Sequence, residues 1–294
     1  MIRRAIAAGV EPVHAVRMAT LSTARYFGLG RLGGVAPGKI ANITVLEDLT
    51  ECRVSRVYHA GTLVAERGEA IDVHAKRRRP QVLRSSVNVR WLEPDDFVIE
   101  APRADAVRVH VIEVLEDRID THRSIETLTP VAGRLVSDPE RDILKIAVVE
   151  RHAASGQTGL AFVKGFGLRQ GAIASSVGHD SHNLVVVGTR DEDIFAAAVH
   201  LVKIRGGFCV VRDGEAIADV PLPIAGLMSD TDAPSLSAQL QRLHEAAHSI
   251  GSTLRRPFMA LSFLTLSVIG SLKLTDQGLI DVDRFERIDL IASP

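Results

Sequence analysis

The sequence predicts an α+β fold whose largest part is a mostly antiparallel sheet covered by helices. From residue 95 onward, short runs typical of strands outnumber any repeated strand-helix-strand unit. The pair Asp213-Gly214 lies between two such runs and is the strongest hairpin signal in the chain. Residues 234–250 form an amphipathic helical pattern that would cover one face of a sheet.

Composition favours a folded protein without a nucleic-acid or membrane partner. With 294 residues and 46% hydrophobic content, the chain is long enough for about two domains. Its 35 Lys and Arg balance 36 Asp and Glu, which offers no bulk attraction to phosphate backbones or anionic lipid. The start of the chain lacks the apolar run of a secretory signal. Cys52 and Cys209 match no disulfide framework, so we expect a reducing, cytoplasmic location.

The first 75 residues change from helical to strand-like spacing. Residues 1–27 predict two short helices, with Pro12 near the start of the second. A glycine-rich turn precedes a predicted strand over 41–46, and the run over 54–64 predicts a hairpin with its turn at Gly61. Beyond it, the basic, proline-containing segment 76–95 is interpreted as a linker between domains, with no site assigned to it.

Strand signals dominate the rest of the chain. Residues 107–114 alternate as in a half-buried strand, and the run 143–149 repeats this signal. Shorter apolar runs at 161–163 and 184–187 also predict strands. A helix with an acidic first turn is predicted over 191–204.

The most suggestive polar cluster lies within residues 174–183, just before a predicted strand. Its candidate site residues are His179, Asp180, Ser181 and His182. Imidazole and carboxylate groups suit both metal binding and proton transfer near neutral pH. On a strand the two histidines would point to opposite faces, so joint action requires a loop or bulge. The alternative interpretation is an ordinary hydrogen-bonded turn.

Other motifs favour structural interpretations. His244-Glu245-Ala-Ala-His248 formally matches a zinc-peptidase pattern, but it lies on a polar helix without a third ligand at a known spacing, which favours a solvated helix face. No glycine cluster follows a dinucleotide-binding or phosphate-binding pattern, and no serine lies in a GxSxG elbow.

Residues 17–46 resemble the end of an amidohydrolase-superfamily enzyme, where the last barrel helix returns into a small β-sandwich; Asn42 replaces the usual aspartate. Four later segments, in order, resemble the C-terminal domain of adenine deaminases: 162–168, 171–183, 221–230 and 272–276. This resemblance divides the chain into terminal barrel helices (1–30), a small β-sandwich segment (31–75), the linker (76–95) and a C-terminal α+β domain (96–294).

The resemblance implies hydrolysis of adenine to hypoxanthine and ammonia at a metal centre, commonly manganese or iron, held by a barrel. The HxH pair of that barrel is absent from this sequence, and Met1 falls after the expected late aspartate. We therefore expect a truncated or split C-terminal part, completed by a separate barrel chain and forming a homo-oligomer. The cluster from His179 to His182 aligns with a polar signature expected to face the barrel mouth. The alternatives are a non-catalytic assembly or binding module and an independent metallohydrolase.

Overall fold

The computed structural model describes residues 1–71 and 86–292. They belong to two compact units, Met1–Arg78 and Arg79–Pro294. Within the described residues, no helix is both long and apolar enough to cross a membrane.

The first unit begins with short helices. These are α1 (Ile2–Ala7), α2 (Pro12–Arg17), a π-helical turn (Met18–Ser22) and α3 (Thr23–Tyr26). The carboxylate of Glu11 caps α2 by accepting the backbone N–H groups of Val13 at 3.0 Å and His14 at 2.7 Å. Pro12 occupies the first turn of α2, where its missing N–H costs nothing, as the sequence predicts.

Four strands follow in a single antiparallel sheet. They are β1 (Ile43–Leu46), β2 (Val54–His59), β3 (Thr62–Glu66) and β4 (Glu69–Ala70), hydrogen-bonded in chain order. The predicted hairpin at Gly61 is confirmed. Ala60 and Gly61 have φ values of 48° and 86°, the left-handed pair that a tight two-residue hairpin turn needs.

The second unit is organised around an eight-stranded sheet. Its strands, in spatial order, are β14 (Glu215–Pro221), β13 (Gly207–Arg212), β11 (Ala172–Ser175), β12 (Leu184–Gly188), β9 (Leu144–Val149), β10 (Thr158–Lys164), β6 (Val107–Val114) and β7 (Thr121–Leu128). All neighbours are antiparallel except β10 and β6. The predicted hairpin at Asp213-Gly214 joins β13 to β14, with φ values of 53° and 78° at the turn.

The prediction that helices cover this sheet is confirmed, and they lie on both of its faces. Helix α4 (Asp191–Lys203) packs Ile194, Ala198 and Leu201 against one face. On the other face lie α5 (Ala233–Ser249), α6 (Pro257–Phe263) and a small antiparallel sheet. That sheet comprises β15 (Leu272–Thr275), β16 (Gly278–Asp281) and β17 (Glu286–Ile288). A two-stranded ladder pairs β5 (Ile99–Glu100) with β8 (Arg134–Leu135).

The prediction of a half-buried strand over 143–149 is right about the strand and wrong about its burial, because β9 is buried on both faces. Lys145 is fully buried within it, and its Nζ donates to the Phe97 carbonyl at 3.0 Å and pairs with Asp191 at 2.5 Å. The alternating pattern assigns Lys145 to solvent. Lys145 can lie inside the core because its ammonium has hydrogen-bond partners there.

The predicted linker 76–95 is described only from residue 86 onward. Leu92 is buried in the core on the α4 face, and the Asn88 N–H donates to the Arg151 carbonyl at 2.8 Å. A 3₁₀ turn at Pro94–Phe97 follows, with Phe97 fully buried. Residues 86–97 therefore line the sheet of the second unit.

One end of the large sheet collects the segments that form the candidate site. The antiparallel pairings bring together the C-terminal ends of β9, β11 and β14 with the first residues of β12 and β13. The segments 150–157, 176–183 and 222–229 leave or enter the sheet here. The loop that contains the predicted polar cluster thus has neighbours distant in sequence.

Candidate functional site

The four predicted site residues lie in the loop 176–183 between β11 and β12. His179, Asp180 and Ser181 are exposed, whereas His182 is half-buried. His182 has a φ of 54°, so the backbone turns through the left-handed region instead of continuing as a strand. The loop that joint action of the two histidines requires is therefore present.

His179 is oriented by α6. Its imidazole stacks on the Phe263 ring with centroids 3.9 Å apart and an interplanar angle of 14°. Its backbone N–H donates to the Ser262 carbonyl at 3.1 Å. The ring is thus held flat against an aromatic neighbour while the residue stays exposed.

His182 has a different environment. Its Nδ1 accepts the Gly178 backbone N–H at 3.2 Å, which places the proton of the neutral ring on Nε2. Burial lowers the pKa of His182 below its usual range, and the positive charge of Arg151 lowers it further. The neutral imidazole is favoured near pH 7, and it offers an Nε2–H donor.

Asp180 and Ser181 complete the exposed part of the loop. The Ser181 carbonyl lies 2.6 Å from Nε2 of His152, which anchors the loop to the segment after β9. The Asp180 charge acts in the opposite direction to Arg151 and favours protonation of His182. The loop therefore presents a carboxylate, a hydroxyl and two imidazoles of unlike character.

Arg151 is a residue that sequence reasoning missed. Its side chain is buried, with only 2% of the residue exposed, and its guanidinium donates to three carbonyls from separate segments. These are Ser86 at 3.1 Å, Ala225 at 3.1 Å and His182 at a shorter separation. The sequence does contain a signal, because the charged pair Glu150-Arg151 directly follows the apolar run 143–149. Such a pair indicates charged side chains at the end of a central strand.

Asn183 connects the loop to the sequence motif at 272–276. The side-chain Nδ2 of Asn183 donates to Oδ1 of Asp276 at 3.0 Å. Its side-chain Oδ1 accepts the Arg151 backbone N–H at 3.3 Å. Lys273, in the same motif, donates from Nζ to the carbonyls of Phe263 and Ile119, each at 3.0 Å. Burial lowers the pKa of Lys273 to about 8. The motif therefore holds one end of the loop through Asn183 and supports His179 through its stacking partner Phe263.

Ser176 joins the loop to the glycine-rich turns. Its Oγ donates to the Gly226 carbonyl at 2.6 Å and accepts the Gly207 N–H at 2.7 Å. A Cβ at Gly207 would lie 2.0 Å from the Val220 carbonyl oxygen, so a side chain there cannot be accommodated without moving the backbone. Three motifs that are far apart in sequence thus meet at one end of the sheet.

The described residues do not fit a metal centre of the kind the resemblance implies. Across 1–71 and 86–292, no group of three or more His, Cys, Asp or Glu side chains is placed to hold a metal ion. On α5, Nδ1 of His244 lies 2.8 Å from the Leu240 carbonyl, and Nδ1 of His248 lies 2.9 Å from the Ser252 carbonyl. Both imidazoles are thus bonded to backbone near their own turn of α5.

Comparison with known proteins is consistent with this architecture. The adenine deaminase C-terminal domain matches residues 118–286, more than half of the chain. The chain belongs to this family. The amidohydrolase family also matches, over residues 1–64. Both resemblances inferred from the sequence motifs are therefore confirmed.

Full-length relatives extend the comparison over nearly the whole chain. An adenine deaminase of Dehalococcoides mccartyi is 42% identical over 98% of this chain. Adenine deaminases of Desulfatibacillum aliphaticivorans and Moorella thermoacetica are 44% and 40% identical over 99% of it. The matched region is 50%, 50% and 49% of these three proteins, so the chain spans about half their length.

Proposed function

We propose that this chain takes part in the hydrolytic deamination of adenine. In this reaction the exocyclic amino group leaves as ammonia, and an oxygen from water takes its place to give hypoxanthine. The observation that carries the proposal is the matching of 98–99% of the chain to three adenine deaminases at 40–44% identity. The polar loop 176–183 lies within the matched family domain.

In this proposal the loop contributes substrate contacts. Adenine is a flat aromatic ring with nitrogen acceptors and an amino donor at its edge. An imidazole held flat by Phe263 can stack on such a ring, and the Nε2–H of His182 can donate to a ring nitrogen. Asp180 and Ser181 supply an acceptor and a hydroxyl, so all four candidate residues belong to the proposed site.

The group that activates water is not assigned to any described residue. We propose that manganese or iron is held by a barrel outside the described residues, provided by a further segment or by a separate chain. We also propose a cytoplasmic enzyme that acts in purine salvage as a homo-oligomer. The balanced charge and the two isolated cysteines are compatible with a cytoplasmic location.

A complementation assay tests the function. The chain is co-expressed with the half of the Desulfatibacillum aliphaticivorans adenine deaminase that it does not match, in medium containing Mn²⁺ or Fe²⁺. Ammonia and hypoxanthine are measured after addition of adenine. We expect both products in a one-to-one ratio, at rates above those of either part alone. A stable complex of the two parts that holds metal but releases no ammonia would refute the proposal.

Matched histidine variants locate the contribution of the loop. His179→Ala is expected to raise KM for adenine, because it removes the stacking surface. His122→Ala serves as its control, since His122 is an exposed histidine on β7, at the far edge of the same sheet. Equal KM values for the two variants would remove His179 from the proposed site.

A non-catalytic assembly module is the second candidate, favoured by apolar exposure in the first unit. Tyr26, Phe27 and Val35 are 84%, 67% and 84% exposed, respectively. Exposed aromatic and aliphatic side chains are typical of association surfaces where they form a contiguous patch. Light scattering of the chain alone tests this: association that is lost in a Tyr26→Ser, Phe27→Ser double variant would support the module, and a monomer at all concentrations would exclude it.

A further inference from the structure

Arg151 is a buried cation whose hydrogen bonds all go to neutral groups. Its three guanidinium acceptors are backbone carbonyls, and among residues 1–71 and 86–292 no carboxylate pairs with it. Removing a guanidinium from water is costly unless its bonds are well satisfied. The arrangement therefore holds Ser86, His182 and Ala225 in one fixed relation at the cost of an uncompensated charge.

The charge of Arg151 lies beside His182 and affects which ring nitrogen of His182 carries a proton. Arg151 holds the carbonyl of His182, and the residue adopts a φ of 54°. In this conformation Nδ1 lies 3.2 Å from the Gly178 nitrogen and accepts its N–H. A second proton on the ring would have to enter at Nδ1, where it would face the Gly178 N–H and add positive charge beside Arg151.

The remaining contacts limit the freedom of the loop. Asn183, the next residue, accepts the Arg151 backbone N–H and donates to Asp276, so both the side chain and the main chain of Arg151 hold this end of the loop. A Cβ at Gly226 would lie 2.8 Å from Nη1 of Arg151, which shows how closely the guanidinium is enclosed. The guanidinium is thus packed directly against the backbone of Gly226.

We propose that Arg151 is a positioning residue that fixes His182 as the Nε2–H tautomer, so that the loop presents a hydrogen-bond donor and not a proton acceptor. The acceptor it suits is an electron-rich nitrogen or oxygen at the edge of a planar heterocycle. Identifying that heterocycle with adenine rests on the proposed function. The tautomer itself does not, because it is a property of this chain alone.

Long-range ¹H–¹⁵N spectra of the full chain with labelled histidine test the proposal. The His182 signal is identified by its loss in His182→Gln. At pH 7 we expect the Nε2–H pattern for His182, and in Arg151→Met we expect a mixture of tautomers and a titration midpoint at higher pH, because one of the groups that lower the pKa of His182 is removed. Arg212→Met, at an exposed residue that ends β13, should leave the His182 signal unchanged.

Several outcomes would overturn the proposal. One is a folded Arg151→Met protein with the same tautomer and midpoint as the wild type. If this variant does not fold, as judged by circular dichroism, the wild-type spectrum still decides, because an Nδ1–H or charged His182 at pH 7 contradicts the proposed geometry. Since these spectra require no turnover, absence of ammonia release with an Nε2–H His182 would refute only the proposed function.

Discussion

His179 lies flat on Phe263, with ring centroids 3.9 Å apart, and its backbone N–H is bonded to the neighbouring Ser262 carbonyl. Two links to the same short helix thus fix both the main chain and the ring. Lys273 in turn bonds the Phe263 carbonyl, so the stacking partner is itself held from the core side. The exposed imidazole is therefore preorganised, although it lies in a loop.

The first prediction concerns this stack. Phe263→Leu should remove the ring current that Phe263 exerts on His179 and should move the imidazole proton resonances of His179 downfield. An aromatic pair contributes about 0.5–1.5 kcal/mol beyond its buried area, and the free energy of unfolding should fall by at least that amount. NMR and chemical denaturation measure the two effects. Phe285→Leu, at a phenylalanine that is 75% exposed, is the control. Unchanged His179 resonances would contradict the stacking.

The second prediction concerns Asn183. Asn183→Ala should cost about 1–3 kcal/mol of unfolding free energy, because it leaves the buried Arg151 N–H without its acceptor. Denaturant titration measures the loss. In a double-mutant cycle, Asp276→Ala should show coupling with Asn183→Ala of about 0.5–3 kcal/mol, since their side chains are bonded at 3.0 Å.

Asn88 provides the matched control for this cycle. It is exposed, and its side-chain amide donates to the His152 carbonyl at 3.2 Å. Asn88→Ala should change stability by about 0.5 kcal/mol or less. Strictly additive effects of Asn183→Ala and Asp276→Ala would show that the two residues do not interact.

Local sequence rules predict much of the fold. The turns at Gly61 and Asp213-Gly214 have the left-handed backbone that these residue pairs favour, and the amphipathic pattern over 234–250 corresponds to α5 within one residue at each end. These features are determined by neighbours in sequence. The burial of Lys145 and Lys273 depends on partners distant in sequence, which periodicity does not reveal.

The candidate site shows the same division. Residue types and spacing are enough to select His179 and His182 for attention. The difference between them arises from Phe263, which stacks on one, and from Arg151, which holds the other. Both partners come from other segments of the second unit, so no local pattern around the loop could separate a stacking ring from a hydrogen-bond donor.

The third prediction is a pH dependence centred on Glu150. Burial opposes ionisation of this carboxyl, but the N–H groups of Ser155, Ala153 and His152 outweigh it and lower the pKa to about 2 from 4.5. A depressed carboxyl pKa adds stability above the pKa of the unfolded chain, and this stability is lost as pH falls through the folded value. The full pKa difference corresponds to about 3 kcal/mol at neutral pH, and screening by solvent reduces the contribution below that value.

Glu150→Gln tests this contribution. The variant should unfold more easily than the wild type at pH 6, and the difference should narrow as pH falls from about 4.5 toward 2. Denaturant titrations at several pH values measure it. Glu140→Gln is the control, because its side chain is 92% exposed. If the difference in unfolding free energy between Glu150→Gln and the wild type does not vary with pH, the depressed pKa of Glu150 is contradicted.

The fourth prediction concerns His110, which is 7% exposed on β6. Burial lowers its pKa, and Arg123 and Arg108 lower it further, against the opposing charge of Asp281. Both ring nitrogens face the Arg123 guanidinium, at 3.3 Å and 3.1 Å, while Arg123 pairs with Asp281 at 2.8 Å. A proton added to His110 would therefore lie beside the positive charge of Arg123, which is already paired with Asp281.

Because the unfolded chain binds this proton near pH 6.5 and the folded chain resists it, stability should fall as pH drops below about 6.5. His110→Gln should remove this part of the acid sensitivity, whereas His122→Gln, at an exposed position on the adjacent strand, should retain it. Unfolding free energies measured between pH 5 and pH 8 distinguish the variants. If the slope against pH is as steep in His110→Gln as in the wild type, another group is responsible for the loss.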